Sequence, residues 1–360
     1  MTIHCTFEGN GRRREEMAEK VEIEEFIARS KYLPVVDVRS PGEYDQGHIP
    51  DAINLPLFDN EERAIVGTVY KNSGRDNAIL KGLELAGPKL AGFVKKMVQI
   101  APQKEILIHC WRGGMRSEQM AWLFDLAGFS TAVLTGGYKS YRRFIRERFS
   151  AETDCIVLGG MTGSGKTDIL NQLSLIGEQI LDLERIACHK GSVFGGLGQE
   201  TQPTNEQFEN NLYGVWQNFD FNKRIWMEDE SRSIGNVTIP DPLFRKKCSS
   251  PMVTIEIPKE ARIHRLVQEY SGFDKGSLKE AVMKISEKMG GARTKQALEA
   301  IDKNDFEFVA DLVLSYYDKS YQHSVSGRIS QNIKTCYLYE DNPEKNALRV
   351  LDCIRMSNEE

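Results

Sequence analysis

Two short stretches hold residue types that can do chemistry. The first is IHCWRGGMRS, Ile108 to Ser117, in which Cys110 ends an apolar run and is followed by Arg112, Gly113, Gly114 and Arg116. Glycine opens loop torsions that other residues avoid, and a loop leading into a helix can turn its backbone N–H groups toward an anion. Such surroundings lower a thiol's pKa and favour its reactive anion, and the two guanidiniums can fork onto an incoming oxyanion. The second stretch, GMTGSGKT from Gly160 to Thr167, matches G-x-x-x-x-G-K-[ST] in full. Amides around Gly160, Thr162, Gly163, Ser164 and Gly165 can cradle a polyphosphate, Lys166 can reach its outer phosphate, and Thr167 can hold Mg²⁺. This pattern identifies a phosphate site and not its occupant: ATP is the default, and any diphosphate obeys the same physics. A further carboxylate on the magnesium side is expected after another strand, where RIWMEDES (224–231) offers Glu228 and Asp229.

Both stretches need a strand before them and a helix after. Strands are expected at 33–38, 52–57, 105–110 and 131–134, and helices at 12–30, 80–99, 116–127 and 138–148. A second unit opens with strand, loop and helix over 154–173, with later strands at 179–183, 224–229 and 252–257. Beyond residue 258 the chain turns charged and helix-like, at 259–270, 277–289, 294–303 and 306–317. Alternation of this kind predicts α/β layers with largely parallel sheets. The expected organisation is an α/β domain over 1–150, a phosphate-loop α/β domain over 151–258, and a helical C-terminal region over 259–360 packed on the latter. A boundary near 148–153 leaves a short joint, which predicts domains that pack together.

The charge pattern bounds the partners. A net charge of −5 over 360 residues excludes a uniformly basic nucleic-acid binder, while a confined basic face remains open. Two segments lean positive: 139–148, with Lys139, Arg142, Arg143, Arg146 and Arg148 against Glu147, and 259–295, with nine Lys and Arg against five Asp and Glu. Either can be an ordinary solvated helix face. Seven scattered cysteines, with no C-x-x-C pair, support neither a disulfide framework nor an intrinsic metal site. The absence of an apolar run of about 18 residues argues against a membrane partner, and the first twenty residues carry no apolar signal core, so a cytoplasmic location is expected.

Upstream of Cys110, VVDVRSPGEYDQGHIPDAINLPL (35–57) resembles the rhodanese domain through Asp37-Val38-Arg39, Glu43-Tyr44 and Gly47-His48-Ile49-Pro50. That resemblance makes Cys110 the nucleophile. The interval from Cys110 to Arg116 is C-x5-R, one residue longer than in ordinary rhodaneses. It is similar in length to the loops of related cell-cycle phosphatases, which hold a tetrahedral phosphate. The whole chain resembles the tRNA 2-selenouridine synthases through NEERAIVGTVYK (60–71), HCWRGGMRS (109–117), GGYKSYRRF (136–144), GGMTGSGKT (159–167), GSVFGGLGQETQPTNEQFENNL (191–212), EDESRSIG (228–235) and YYDKSYQ (316–322).

That resemblance implies a transferase which replaces sulfur by selenium in 2-thiouridine at the tRNA wobble position, through an S-geranylated intermediate. Its substrates are selenophosphate, supplied by its synthetase, and geranyl diphosphate, with no tightly bound cofactor and with Mg²⁺ as an optional ion. Selenophosphate would lie on Arg112, Gly113, Gly114 and Arg116, with selenium passing to Cys110, and the diphosphate would lie on Gly160–Thr167. Phe194, Phe208, Tyr213 and Trp216 are candidates for lining a geranyl channel, though aromatic residues of this kind are most often core. For tRNA the expected contacts are Lys139, Arg142, Arg143 and Arg146, with 259–295 as a second patch. Two other readings stay open on the residues alone: an ATP-dependent sulfurtransferase using a Cys110 persulfide, and a phosphate-sensing module in which Cys110 is idle.

Overall fold

The computed structural model describes residues 18–325 and 333–355. The chain divides into two compact units, Met1–Phe144 and Ile145–Glu360. The first unit runs β1 (Glu19–Val21), α1 (Ile23–Ser30), β2 (Val35–Asp37), α2 (Pro41–Gln46), β3 (Ile53–Asn54), α3 (Asn60–Ala86), α4 (Leu90–Ile100), β4 (Glu105–His109), α5 (Met115–Leu126) and β5 (Ser130–Leu134), and the unit division falls inside α6 (Gly137–Arg148). Its sheet is parallel throughout, in the order β1-β5-β4-β2-β3. The central strand β4 is buried from Ile106 to His109, as a parallel strand covered on both faces requires. Its side chains pack with Val36, Phe93, Met97, Phe124 and Val133 in one apolar cluster, each large member contributing about 1.5–3 kcal/mol by leaving water.

Capping boxes set where the local helices begin. Ser40 and Glu43 close one at α2, with Pro41 in the first turn, and Asp59 and Glu62 close another at α3; reciprocal caps satisfy N–H groups that a helix start leaves orphaned. Two expectations change here. Residues 12–17 of the expected first helix lie outside the described residues, and Glu19–Val21 forms an edge strand paired with Ala132–Leu134, because pairing with β5 outweighs local helix preference. The helix expected at 80–99 is replaced by α3, which already begins at Asn60, and α4.

The second unit runs β6 (Cys155–Gly160), α7 (Lys166–Leu175), β7 (Gln179–Leu181), α8 (Leu183–Ala187), α9 (Asn205–Trp216), β8 (Ile225–Glu228), β9 (Ser233–Ile234), β10 (Val237–Thr238), α10 (Asp241–Ser249) and β11 (Met252–Glu256). There follow α11 (Lys259–Tyr270), α12 (Lys275–Lys284), α13 (Ser286–Met289), α14 (Gly291–Asp302), α15 (Phe306–Val325), β12 (Ile333–Tyr337) and α16 (Pro343–Arg355). The main sheet is again parallel, in the order β12-β11-β6-β8-β7. The region after residue 258 is helical as expected except for β12, which pairs with β11 along Met252–Glu256 and completes the sheet edge. Phe194, Leu266, Tyr270, Val282, Ile301 and Leu314 form the core of the helical layer. Among the described residues no helix is long and apolar enough to cross a membrane.

In both units the candidate loop leaves the carboxyl end of a central strand, where open parallel sheets form their ligand crevices. The thiol loop is pinned from behind by close backbone approach. Gly113 and Gly137 have φ of +63° and +59°, and a Cβ on Gly137 would stand 2.4 Å from the Gly113 nitrogen and 2.5 Å from the Cys110 carbonyl oxygen. The N–H groups of Tyr138 and Lys139 donate to the Cys110 and Trp111 carbonyls at 2.9 and 3.0 Å. Gly137→Ala should therefore destabilise the first unit by about 1–3 kcal/mol, the scale of forced overpacking. Urea unfolding of the full chain measures this, and an unchanged midpoint would refute the close-approach argument.

His109, directly before the cysteine, is fully buried, and neither ring nitrogen has a hydrogen-bond partner among the described residues. Burial pushes its pKa below the usual histidine value, with the Arg39 charge adding to the effect against the opposing pull of Asp37. The fold thus holds His109 neutral, while the unfolded chain takes up a proton near pH about 6.5. The unfolded state binds more protons below that pH, so stability should fall as pH drops through it. Unfolding midpoints measured on both sides of that pH should show this fall, and His109→Asn should flatten it. An equal pH slope in the variant would remove His109 as its source.

Candidate functional site

The thiol loop spans Cys110 to Gly114, with Gly114 as the N-cap of α5. By helix geometry the first-turn amides of Met115, Arg116 and Ser117 have no intrahelical acceptor, so they are available to an anion beside the sulfur. Cys110 is buried, with its Sγ 3.2 Å from Ser117 Oγ, and Ser117 in turn donates to the Gly114 carbonyl at 2.9 Å. Arg112 is exposed. Arg116 is engaged: its Nη1 and Nη2 donate to the Glu43 carboxylate at 2.6 and 3.1 Å. Burial pushes the Glu43 carboxyl up, but the bonds and charge of Arg116 outweigh it and hold it below the usual range. Arg63, from the first turns of α3, stands 3.6 Å from the same carboxylate. The loop thus presents one exposed guanidinium and one fixed by an acid, and Arg63 is a third that the sequence motifs did not single out.

Behind the loop lies a fully buried ion pair. Arg39 donates through Nε and Nη2 to Asp37 at 3.0 and 2.6 Å, and through Nη2 to the Gly47 carbonyl at 2.7 Å. Its guanidinium lies 3.9 Å from the centre of the Tyr138 ring. Because His109 is held neutral, the charge that keeps Asp37 ionised against the cost of burial is that of Arg39.

The phosphate loop follows β6. Gly163 and Gly165 have φ of +77° and +79°, and Gly165 is the N-cap of α7. The Lys166 ammonium donates to the Gly160 carbonyl at 3.0 Å. The Ser164 hydroxyl is buried and has no hydrogen-bond partner among the described residues, a donor left for a ligand. The loop is braced by α11: Arg262 forms a forked pair with Asp318 at 2.7 and 2.9 Å and donates to the Thr162 carbonyl at 3.3 Å. The cradle opens into a cavity of about 1140 Å³. Phe194, Phe208, Tyr213 and Trp216 do not line that cavity and are all buried in the core; the aromatic rings on its wall are Phe244, Tyr270, Tyr317 and Tyr321.

The two acids expected on the magnesium side separate. Glu228 is fully buried and accepts from the Thr167 hydroxyl at 3.0 Å, whereas Asp229 is paired with the buried Lys247 at 2.9 Å. In place of Asp229 the fold brings Glu184, which accepts from Thr167 at 3.2 Å, and Glu230, whose side chain is bonded to Glu184. Burial and the charge of its neighbours push Glu184 up to about 8 and Glu228 well above the usual carboxylate range. Thr167 and Glu228 fit a magnesium ion, as a buried acid without a cation partner beside a hydroxyl. Among the described residues no group of three or more His, Cys, Asp and Glu is arranged to hold a metal, so such an ion would depend on phosphate oxygens for its other ligands.

Of the four residues expected to meet tRNA, Lys139, Arg143 and Arg146 are exposed and Arg142 is buried. Arg142 therefore does not belong to an open basic face. Arg146 is also paired with Glu209 at 2.9 Å. In the second basic segment, Lys259 and Lys279 are paired with Asp311 and Asp302, Arg262 braces the phosphate loop, and Arg265 is paired with Asp168 and Asp341. Lys284, Lys288, Arg293 and Lys295 remain as its exposed part.

Comparison with known proteins accounts for both units. Residues 19–143 match the rhodanese-like domain, and residues 153–341 match the tRNA 2-selenouridine synthase AAA domain. The tRNA 2-selenouridine synthase of Nitrosomonas europaea is 32% identical, over 84% of this chain and 91% of the relative. Its namesake in Bordetella petrii is 35% identical, over 81% of this chain and 86% of the relative, and that of Bdellovibrio bacteriovorus is 33% identical, over 82% and 90%. With both units matched in order and such relatives covered over nearly their whole length, the chain belongs to the tRNA 2-selenouridine synthase family.

Proposed function

We propose that this protein replaces the sulfur of wobble 2-thiouridine in tRNA by selenium from selenophosphate, through an S-geranylated uridine made from geranyl diphosphate. One observation carries the reading: a member of this family holds, in separate units, a thiol loop suited to a tetrahedral anion and a phosphate cradle opening into a cavity of about 1140 Å³. Small-molecule pockets commonly span ~300–1,000 Å³, so the volume accommodates a prenyl diphosphate together with an unstacked base.

In the prenyl step the diphosphate lies on the amides that open α7, and Lys166 exchanges the Gly160 carbonyl for the leaving oxygens. Thr167 and Glu228 would hold Mg²⁺, which supplies charge neutralisation to the diphosphate when bound. In the selenium step the phosphoryl oxygens of selenophosphate meet the first-turn amides of α5, Arg112 and Arg116, with selenium turned toward Cys110. Selenophosphate would be supplied by its synthetase, and an exposed part of the basic surfaces on α6 and over 284–295 would carry the tRNA backbone.

The division of labour is testable by incubating the full chain with thiolated tRNA, geranyl diphosphate and selenophosphate in the absence of ATP. Mass spectrometry of the nucleosides should reveal both geranylated and selenium-bearing uridine. Cys110→Ser should abolish selenium incorporation and spare geranylation. Lys166→Ala should slow geranylation by roughly 10²–10³-fold, the usual effect of removing one donor to a developing anion. An absolute requirement for ATP, or equal loss of both products in either variant, would favour the ATP-dependent sulfurtransferase instead.

Binding of tRNA gives a second test. Neutralising Lys139, Arg143 and Arg146 together should weaken tRNA binding and flatten its salt dependence by about two to three phosphate contacts, leaving geranyl diphosphate binding unchanged. An unaltered salt slope would make these residues a solvated helix face only.

A further inference from the structure

A cation at the phosphate cradle that no motif contains is Arg265. It lies on α11 one turn beyond Arg262, and the two arginines differ in how they are held. Arg262 is locked by its fork on Asp318 and its bond to the loop carbonyl of Thr162, with 6% of its side chain exposed. Arg265 instead reaches past α7: a Cβ on Gly165 would stand 2.9 Å from its Nη2 and 3.0 Å from its Cζ. The guanidinium therefore sits against the N-cap of the helix whose first amides face the cavity, and it lines that cavity with Lys166. Its partners are Asp168, in the first turn of α7, and Asp341, just past β12. The guanidinium is 20% exposed and the two carboxylates are 47% and 32% exposed, so solvent reaches the acids and screens their hold on it.

The electrostatic setting calls for a second cation. Lys166 shares its charge with Glu184 and Glu230, and an entering diphosphate adds further negative charge next to Asp168. We propose that Arg265 is a phosphate-binding residue, held in waiting by Asp168 and Asp341 and transferred to the diphosphate when the donor enters the cradle. Its fork matches two phosphate oxygens, which an ammonium cannot do. This inference rests on the reading of the cradle as a prenyl diphosphate site. In that reaction the bond between C1 of the prenyl group and the bridging oxygen breaks, and its electron pair leaves on the diphosphate. A sulfur lone pair of the thiouridine forms the new C–S bond, and the N3 proton of the base is lost to solvent. Arg265 would hold the diphosphate as it takes up the electron pair.

The test uses the full chain and inorganic pyrophosphate with magnesium as the probe, followed by calorimetry and by the pyrophosphate-induced rise in Tm. Arg265→Ala should weaken pyrophosphate binding by roughly tenfold to a hundredfold, as loss of a charged hydrogen-bond donor does, and Arg265→Lys should fall between it and the unsubstituted chain. Asp341→Asn removes a competing negative charge, so it should tighten binding, a result a merely structural pair would not produce. Unchanged affinity in both Arg265→Lys and Asp341→Asn would overturn the proposal even if Arg265→Ala fails to fold. Lys166→Ala serves as the comparator: if it too leaves pyrophosphate binding intact, the cradle reading itself fails. If it abolishes binding while the Arg265 variants do not, only the role of Arg265 is lost.

Discussion

A guanidinium without water organises the thiol half of this protein. Arg39 has its charge met by Asp37, a bond to the Gly47 carbonyl and the face of Tyr138. Each partner comes from a different segment: the end of β2, the turn after α2, and the first turn of α6. Removing any one of them would leave a buried charge only partly compensated, which is far more costly than never having buried it. The three segments are thereby held in one arrangement, and the first turn of α6 in turn grips the Cys110 and Trp111 carbonyls. The position of Cys110 is thus fixed by a charge to which it is not bonded.

The second unit solves a related problem with the opposite sign. Glu184 and Glu228 meet at Thr167 with Glu230 beside Glu184, and the Lys166 charge acts on Glu184 and Glu230. Burial without full compensation raises their proton affinity. The phosphate loop stays rigid in spite of this because Arg262 and Asp318 brace it from the helical layer.

The two loops themselves were legible from their residues, because each combines glycines at obligatory torsions with a strand before and a helix after. Gly113, Gly163 and Gly165 all adopt positive φ, and both loops lie at the carboxyl ends of central strands. What escaped the sequence is what the fold brings from elsewhere. Glu184 lies on α8 and Glu230 just past β8, and only the pairing of β7 with β8 carries the first toward Thr167. Arg142 fell at helical spacing with its basic neighbours, yet helical spacing alone does not say which face is buried. The edge strand β12 has exposed Lys334, Thr335 and Tyr337 beside the buried Cys336, too short and mixed a pattern to stand out from the helices around it.

The contact between Ser117 and Cys110 carries one more consequence. A serine has a single hydroxyl proton, and here two acceptors compete for it: the Gly114 carbonyl at 2.9 Å and the sulfur at 3.2 Å. While the sulfur is a thiol, the hydroxyl can tether the loop through Gly114. Were the sulfur an anion, the same proton would be drawn to it, while the Glu118 N–H would still hold the Gly114 carbonyl at 3.1 Å. The hydroxyl proton can therefore follow the charge on the sulfur by one rotation of one O–H bond, while the backbone hold on Gly114 stays in place.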